Sequence, residues 1–151
     1  MTASSLNLRT IIDDGIDAVV CLDALLSRER SALEDQDARR LSALATEKQA
    51  CLDRIEELEA SRAALLHEHG LGNNNLGMNT LLEASNSAGA WHRYLDLAGR
   101  CHTANQTNGA IIRLRHQQIS SALAVISGER QSTYGPSGKA PPAKARERAL
   151  A

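Results

Sequence analysis

The stretch WHRYLDLAGRCHTANQTNGAIIRLRHQQISSALAVIS, residues 91–127, contains no proline and carries a seven-residue repeat. The repeat passes through Trp91, Ala98, Asn105, Ile112, Ile119 and Ile126. A strict seven-residue spacing keeps one face of an α-helix turned towards a partner helix. The stretch therefore predicts one long helix that is paired with other helices.

The middle of this predicted helix is polar, because Asn105, Asn108 and Gly109 stand where a simple bundle would have leucines. The two asparagines have two interpretations. A buried amide in a helix–helix seam fixes the register of packing; alternatively, the amides bind backbone groups of a partner chain. Gly109 would let another backbone approach closely, or would loosen the helix. An apolar stretch and then a polar C-terminal segment follow, which favours a protein that binds other chains.

The composition favours helices over sheets. The chain has 151 residues, enough for one domain with a core, and only 2% of them are aromatic, with no phenylalanine. Leucine and alanine dominate, interleaved with glutamate and arginine, as in long helices. The net charge of −1 argues against nucleic-acid binding by the whole chain. Beyond Gly128, basic residues outnumber acidic ones; this segment either touches an acidic surface or is a solvated terminus.

Three cysteines, Cys21, Cys51 and Cys101, stand singly within helical patterns. An odd and scattered set is typical neither of a disulfide framework nor of a zinc site. We therefore expect reduced thiols that pack in the core. The N-terminal residues lack a signal-peptide pattern, and no stretch has the roughly 20 apolar residues of a membrane span. These features predict a cytoplasmic protein without stable membrane insertion.

Two further long helices are predicted, over residues 6–33 and 38–68, because each range contains a seven-residue repeat of apolar side chains. Asp35 or Asp37 would cap the start of the second helix. Gly70 would end it in a left-handed conformation. The connection between the two helices is short, so they should be antiparallel neighbours.

Residues 72–77 are rich in glycine and asparagine and predict a loop, and residues 78–84 predict a short helix. Ser87 would cap the long helix that follows. The sequence thus predicts an all-α fold: an elongated antiparallel helical bundle of three long helices plus one short helix, with coiled-coil-like packing. We expect this single domain to occupy residues 6–127, followed by a flexible polar and basic tail over residues 128–151.

Lys48 and Arg62 lie on the predicted seam of the second helix. Long cationic side chains can lay their methylene groups against a seam while the charge stays at its edge. The two residues therefore either face a partner or pack at the rim of the bundle.

The sequence gives no reason to expect an enzyme. His67 and His69 are the nearest approach to a metal motif, but no carboxylate or thiol accompanies them at ligand spacing. Arg113 and Arg115 with His116 form a small basic group without interleaved aromatic residues, which is weak support for nucleic-acid binding. We expect no catalytic residue, no metal site and no cofactor.

Several motifs follow one another along the chain. The first two helices contribute Leu25-Leu26, Glu29, Leu33, Leu41, Leu44, Lys48, Arg62 and Leu65-Leu66. The more specific motifs are Asn105-x-x-Asn108-Gly109, Ile111-Ile112, Ala122-Leu123 and Thr133-Tyr134-Gly135-x-x-Gly138. Over roughly residues 8–138, their order resembles the FlgN family of flagellar export chaperones.

The resemblance implies a function without catalysis. FlgN-like proteins are cytoplasmic and all-helical, and they bind the hook–filament junction proteins FlgK and FlgL before export through the flagellar type III apparatus. They cover the C-terminal, polymerisation-prone helical segments of these clients. A tyrosine in the C-terminal region of the family is implicated in docking to the export-gate protein FlhA, and the matching residues here are Tyr134 and Gly135. An exposed Tyr134 would suit a short linear anchor; alternatively it folds back onto the bundle.

A groove between helices would bind the amphipathic segments of such clients. The candidate client-binding residues lie on the long third helix: Asn105, Asn108, Gly109, Ile112, Ile119, Leu123 and Ile126. The alternative is that the apolar members of this set pack on the first two helices as core.

A different class of protein also fits the heptads, namely a structural coiled-coil protein that self-associates through its seams. A chaperone should form a defined complex with a client segment, whereas a structural coiled coil should self-associate and ignore that segment. A homodimer is possible.

Overall fold

The computed structural model describes residues 3–133 and, among them, the side chains of residues 7–128. Every regular element in this part of the chain is an α-helix. The four helices are α1 (Ala3–Glu34), α2 (Ala38–Glu68), α3 (Asn75–Ser85) and α4 (Ala88–Thr133). The predicted all-α fold of three long helices and one short helix is confirmed.

The chain divides into two compact units, Met1–Ile111 and Ile112–Ala151. The first unit contains α1, α2, α3 and the first half of α4, and the second contains the remainder of α4. The predicted single domain over residues 6–127 stays a prediction. The predicted flexible tail falls mostly outside the described residues, although α4 extends to Thr133.

The ends of α2 fall where the cap residues predict them. A side-chain oxygen of Asp37 accepts a hydrogen bond from the backbone N–H of Arg40 at 3.0 Å, which satisfies a free donor at the helix start. At the other end, Gly70 has a φ of 66°, and its N–H donates to the carbonyl of His67 at 2.9 Å. Glycine adopts this left-handed conformation without steric cost.

The short helix α3 is longer than predicted, because it begins at Asn75 rather than at residue 78. The side chain of Asn74 caps it by accepting a hydrogen bond from the N–H of Gly77 at 2.8 Å. Residue 77 has to be glycine in this turn, because a Cβ atom there would overlap the carbonyl oxygen of Gly72. The loop predicted over residues 72–77 is correspondingly shorter.

Helix α4 begins immediately after Ser87, whose carbonyl accepts from the N–H of Trp91 at 3.0 Å. The hydroxyl of Ser87 donates to the carbonyl of Ser85 at 3.2 Å, and the predicted side-chain cap by Ser87 stays a prediction. The helix is unbroken through the polar residues 105–109.

Within the first unit, α1 and α2 are antiparallel. Arg28 near the end of α1 pairs with Glu47 near the start of α2, at 3.0 Å. Asp14, in the first half of α1, pairs with Arg54, which lies further along α2, at 3.5 Å. This order confirms the predicted helical hairpin.

Residues 88–111 of α4 run parallel to α1. The ring of Tyr94 packs at Gly15, where an added Cβ would lie 3.1 Å from the tyrosine Cε2. Further along both helices, the amide of Asn108 donates to the carbonyl of Leu26 at 3.0 Å. The first unit is therefore a bundle in which α2 is antiparallel to both other long helices.

The core of the first unit rests chiefly on α1, which supplies eight of the seventeen buried core residues among the described side chains. They are Leu8, Ile12, Ile16, Val19, Leu22, Leu25, Leu26 and Ala32. Helix α4 supplies only Tyr94 and Cys101. Helix α1 therefore acts as the central helix on which α2, α3 and the first half of α4 pack.

A buried carboxylate links three helices, and we call its contacts the Glu29 network. Glu29 is 7% exposed and accepts hydrogen bonds from the Nζ of Lys48 at 3.1 and 3.3 Å. The amide of Asn108 donates to the same carboxylate at 2.8 Å. Because a buried charge needs these partners, slipped registers are disfavoured. The geometry favours the register interpretation of Asn108 and places Lys48 within the bundle rim.

We predict that Lys48→Met lowers the free energy of unfolding by about 2–4 kcal/mol, because the buried Glu29 carboxylate then lacks its cation. Urea denaturation followed by circular dichroism measures the change.

Arg28→Met is the matched control. Its ion pair with Glu47 joins the same two helices one residue away, but the two side chains are 52% and 50% exposed, so its loss should cost at most about 1 kcal/mol. Equal losses in the two variants would contradict the role given to Glu29.

Candidate protein-binding surface

Four side chains, which we call the Tyr94 cluster, tie α2 to α4 within the first unit. The hydroxyl of Tyr94 donates to one carboxylate oxygen of Glu59 at 3.1 Å. Arg62 donates to the other oxygen at 2.8 and 3.2 Å, and its guanidinium lies 5.5 Å from the ring centroid of Trp91. The rings of Trp91 and Tyr94 stack with centroids 5.2 Å apart. These contacts combine an ion pair with cation–π and aromatic attraction.

The environment of Tyr94 disfavours its ionised form. Burial raises the pKa of the Tyr94 hydroxyl to about 12, and the negative charge of Glu59 acts in the same direction, while Arg62 opposes the shift. The hydroxyl is therefore a permanent donor to Glu59 at neutral pH. Arg62, which the sequence placed on the seam, is engaged inside the bundle rather than free for a partner.

An open groove of about 220 Å³ lies between α2 and α4, bounded along α4 by Tyr94 and Asn105. Val19 and Leu22 of α1 also line it. The remaining lining residues are Lys48, Leu52 and Ile55 of α2 with Ala98, Cys101 and His102 of α4. Sequence reasoning missed this groove. The feature of the sequence that could have indicated it is the pair of small side chains Ala98 and Cys101. They are three residues apart, so they lie on one face of α4 and leave space beside it.

Two of the three cysteines are buried as expected. The thiol of Cys51 donates to the carbonyl of Ala18 at 3.1 Å, and that of Cys101 donates to the carbonyl of Val19 at 3.5 Å. Burial raises the pKa of both thiols, that of Cys51 to about 11. They stay protonated at neutral pH and are poor nucleophiles. Cys21 is exposed, so the expectation of core packing is wrong for that residue.

The three predicted site residues of the first unit differ from one another in burial and in contacts. Asn105 is exposed and lines the groove. Asn108 is 2% exposed and belongs to the Glu29 network. Gly109 is half-buried. Of these three, Asn105 is the residue whose side chain is accessible to a partner.

In the second unit, the predicted apolar residues are largely uncovered. Ile119, Leu123 and Ile126 are 59%, 58% and 48% exposed, and Ile112 is half-buried. Their spacings of seven, four and three residues put them on one face of the helix. We call Ile112, Ile119, Leu123 and Ile126 the apolar stripe. Its exposure favours an open surface over the alternative of a fully packed core.

The exposed apolar side chains are concentrated in this part of the chain. Five of the eight large hydrophobic residues that are exposed among the described side chains lie between residues 112 and 128: Leu114, Ile119, Leu123, Val125 and Ile126. Three of these five, Ile119, Leu123 and Ile126, belong to the apolar stripe, and an exposed apolar surface of this kind is typical of a binding site. The predicted docking residues Tyr134 and Gly135 lie outside the described residues.

The described residues also bear on two other kinds of site, a membrane span and a metal site. None of the helices described has the length and apolar character needed to cross a membrane. Within the same residues, no cluster of three or more histidine, cysteine, aspartate or glutamate side chains has an arrangement that could hold a metal ion.

The fold and the apolar stripe thus define the class of protein: an all-helical protein with an exposed apolar face on one helix. The family model described as FlgN protein matches residues 1–142, and the chain belongs to the FlgN family. This is a family of flagellar export chaperones and is not known for enzymatic activity, so membership gives the protein the role of a flagellar export chaperone. No curated protein and no solved structure matches the chain.

The raised pKa of Tyr94 predicts a late tyrosine titration. In a Tyr134→Phe variant, Tyr94 is the one remaining tyrosine, and the absorbance of its tyrosinate should appear with a midpoint of about 12 instead of the ordinary 10. Because the folded-state pKa is the higher one, the protonated phenol contributes stability below pH 10 that is lost as the pH rises through about 12.

Glu59→Gln in the same background should lower the midpoint, because it removes the negative charge beside the phenol. Circular dichroism of the same samples serves as the control for folding. A midpoint near 10 in a protein that is still helical would contradict the described environment of Tyr94.

Proposed function

We propose that this protein is a cytoplasmic chaperone that binds the C-terminal helical segments of the hook-associated proteins FlgK and FlgL. In this role it prevents their premature assembly and delivers them to the export gate. Membership of the FlgN family supports the chaperone role. The exposed apolar stripe of the second unit is the observation that carries the proposed binding site.

The stripe suits an amphipathic helix. Residues recurring at seven, four and three positions form the face that a partner helix needs for coiled-coil-like packing. Ile112, Ile119 and Ile126 supply β-branched side chains at the same heptad position, and Leu123 broadens the face. A client helix that lays its own apolar face here removes both faces from water, which keeps the client from assembling early.

The affinity of such a contact can be bounded. Full burial of an isoleucine or leucine contributes roughly 1.5–3 kcal/mol, and the stripe residues are already about half covered, so their further burial contributes about 4 kcal/mol in total and the client's apolar face a similar amount. Association itself costs at least roughly 4 kcal/mol in lost translational and rotational freedom, whereas a micromolar complex requires about 8 kcal/mol of net binding free energy. Polar and charged contacts, or a second surface, must therefore contribute to client binding. Asn105 and the groove of the first unit are available for that purpose.

We propose that the C-terminal segment is the part of the chain that delivers the client to the export gate. Tyr134 and Gly135 stand among glycine, proline and serine residues, and a tyrosine offers a large contact area with a polar tip. The family resemblance points to FlhA as the gate protein that receives this anchor. A short linear anchor binds weakly and reversibly, which a handover step requires.

Calorimetric titration with peptides from the C-termini of FlgK and FlgL of the same genome tests the proposal. We expect saturable binding at a simple ratio, weakened at least about tenfold by Ile119→Asp because a charge enters the apolar stripe. Tyr134→Ala should leave this binding unchanged, because it alters only the proposed gate anchor.

Val125→Asp is the matched control. Val125 is 60% exposed, against 59% for Ile119, but it lies on another face of the helix, so binding should persist. The absence of micromolar binding to either client would contradict the proposal. Self-association through the stripe would then leave the structural coiled coil as the function.

A further inference from the structure

The two arginines, Arg113 and Arg115, are the charged side chains that the structure describes in the second unit, so these charges have one sign. Residues 112–128 contain Arg113, Arg115 and His116, and neither aspartate nor glutamate. Among the side chains of residues 7–128, neither arginine has an ion-pair partner.

Most arginines of the first unit, in contrast, form ion pairs. Six of them have a carboxylate oxygen at 3.8 Å or less: Arg9, Arg28, Arg40, Arg54, Arg62 and Arg100. The chain thus pairs most arginines of its bundle and leaves those beside the apolar stripe without a carboxylate from residues 7–128. An arginine in that situation is available to a carboxylate from another molecule.

Arg115 lies on the same face as the stripe. It stands three residues after Ile112 and four before Ile119, so it is about one helical turn from each. Apart from Ile112, it is the one half-buried residue of the range 112–128, where the other side chains are exposed. A long cationic side chain at such a position covers apolar neighbours with its methylene groups and keeps its charge at the edge.

We propose that Arg115 selects the partner of the apolar stripe, and that this partner is an amphipathic helix with carboxylates beside its apolar seam. The inference rests on the proposed function and specifies the chemistry of the client. The planar guanidinium matches a carboxylate with two parallel hydrogen bonds. Such a contact, made where the stripe excludes water, supplies affinity that the apolar residues alone lack and fixes the register of the bound helix.

A second copy of the same stretch is a poor occupant, because residues 112–128 would bring two further arginines to the pair and no carboxylate. An anionic lipid surface is also disfavoured. The stretch has no aromatic anchor, and Leu114 and Val125 are exposed on other faces than the stripe, whereas a membrane-surface helix needs one strongly polar face.

Three designed helical peptides test the proposal. They share one apolar heptad seam and differ at the flanking positions, which are glutamate in the first, glutamine in the second and lysine in the third. Titrated into the full chain, the glutamate peptide should bind at least about tenfold more tightly than the lysine peptide, and added salt should reduce the difference.

Arg115→Gln should bring the affinities for the three peptides close together, because it removes the charge and keeps the length of the side chain. Arg93→Gln is the matched control: Arg93 is exposed and has no ion-pair partner among the described side chains either, but it belongs to the first unit. Circular dichroism of each variant and each peptide verifies that it is helical.

Equal affinity for the three peptides, in a protein that binds the FlgK or FlgL peptides, would overturn the charge selection and leave the proposed function intact. Selective binding of the glutamate peptide without binding of FlgK or FlgL would support the selection and reject those clients. Dimerisation or binding to phosphatidylglycerol vesicles that is lost in Arg115→Gln would assign the surface to another occupant and overturn the inference.

Discussion

The carboxylate of Glu29 accepts hydrogen bonds from the two helices that flank α1. Lys48 reaches it from α2 and Asn108 from α4. Seams of leucine and alanine can slip by a heptad at modest cost, but a buried carboxylate that loses its donors is strongly destabilising. The carboxylate of Glu59 has a similar role, since Tyr94 donates to it across the α2–α4 interface. These polar contacts select one register among those that the apolar pattern permits.

The client binding that we propose for the second unit uses charged side chains in the opposite way, for contacts with another molecule. In the first unit, most arginines are paired with carboxylates of the chain, whereas Arg115 has no such partner among the described residues. An apolar stripe of four residues would give a modest binding free energy, which suits the proposed client site because the client must later be released. A charged residue within the stripe also discourages indiscriminate apolar contacts. In this proposal, the specificity of client binding and the later release of the client both follow from the composition of residues 112–128.

The parts of the fold that depend on local chemistry were predictable from the sequence. Asp37 and Gly70 mark the ends of α2 because caps act within a few residues. Contacts between distant residues were not predictable: Glu29 lies 19 positions from Lys48 and 79 from Asn108. The sequence could not predict whether Ile119 is exposed or buried. A heptad pattern looks the same whether its apolar face packs on the chain's own core or on a partner helix.

Hydrogen–deuterium exchange of the full chain, with and without a saturating FlgK or FlgL C-terminal peptide, tests most directly whether the second unit binds the client. Exchange along residues 112–128 should slow markedly on binding, because a partner helix stabilises this part of α4. The amides of α1 around Glu29 should change little. Protection confined to the first unit, with residues 112–128 unchanged in a saturated complex, would contradict the assignment of the client site to the apolar stripe.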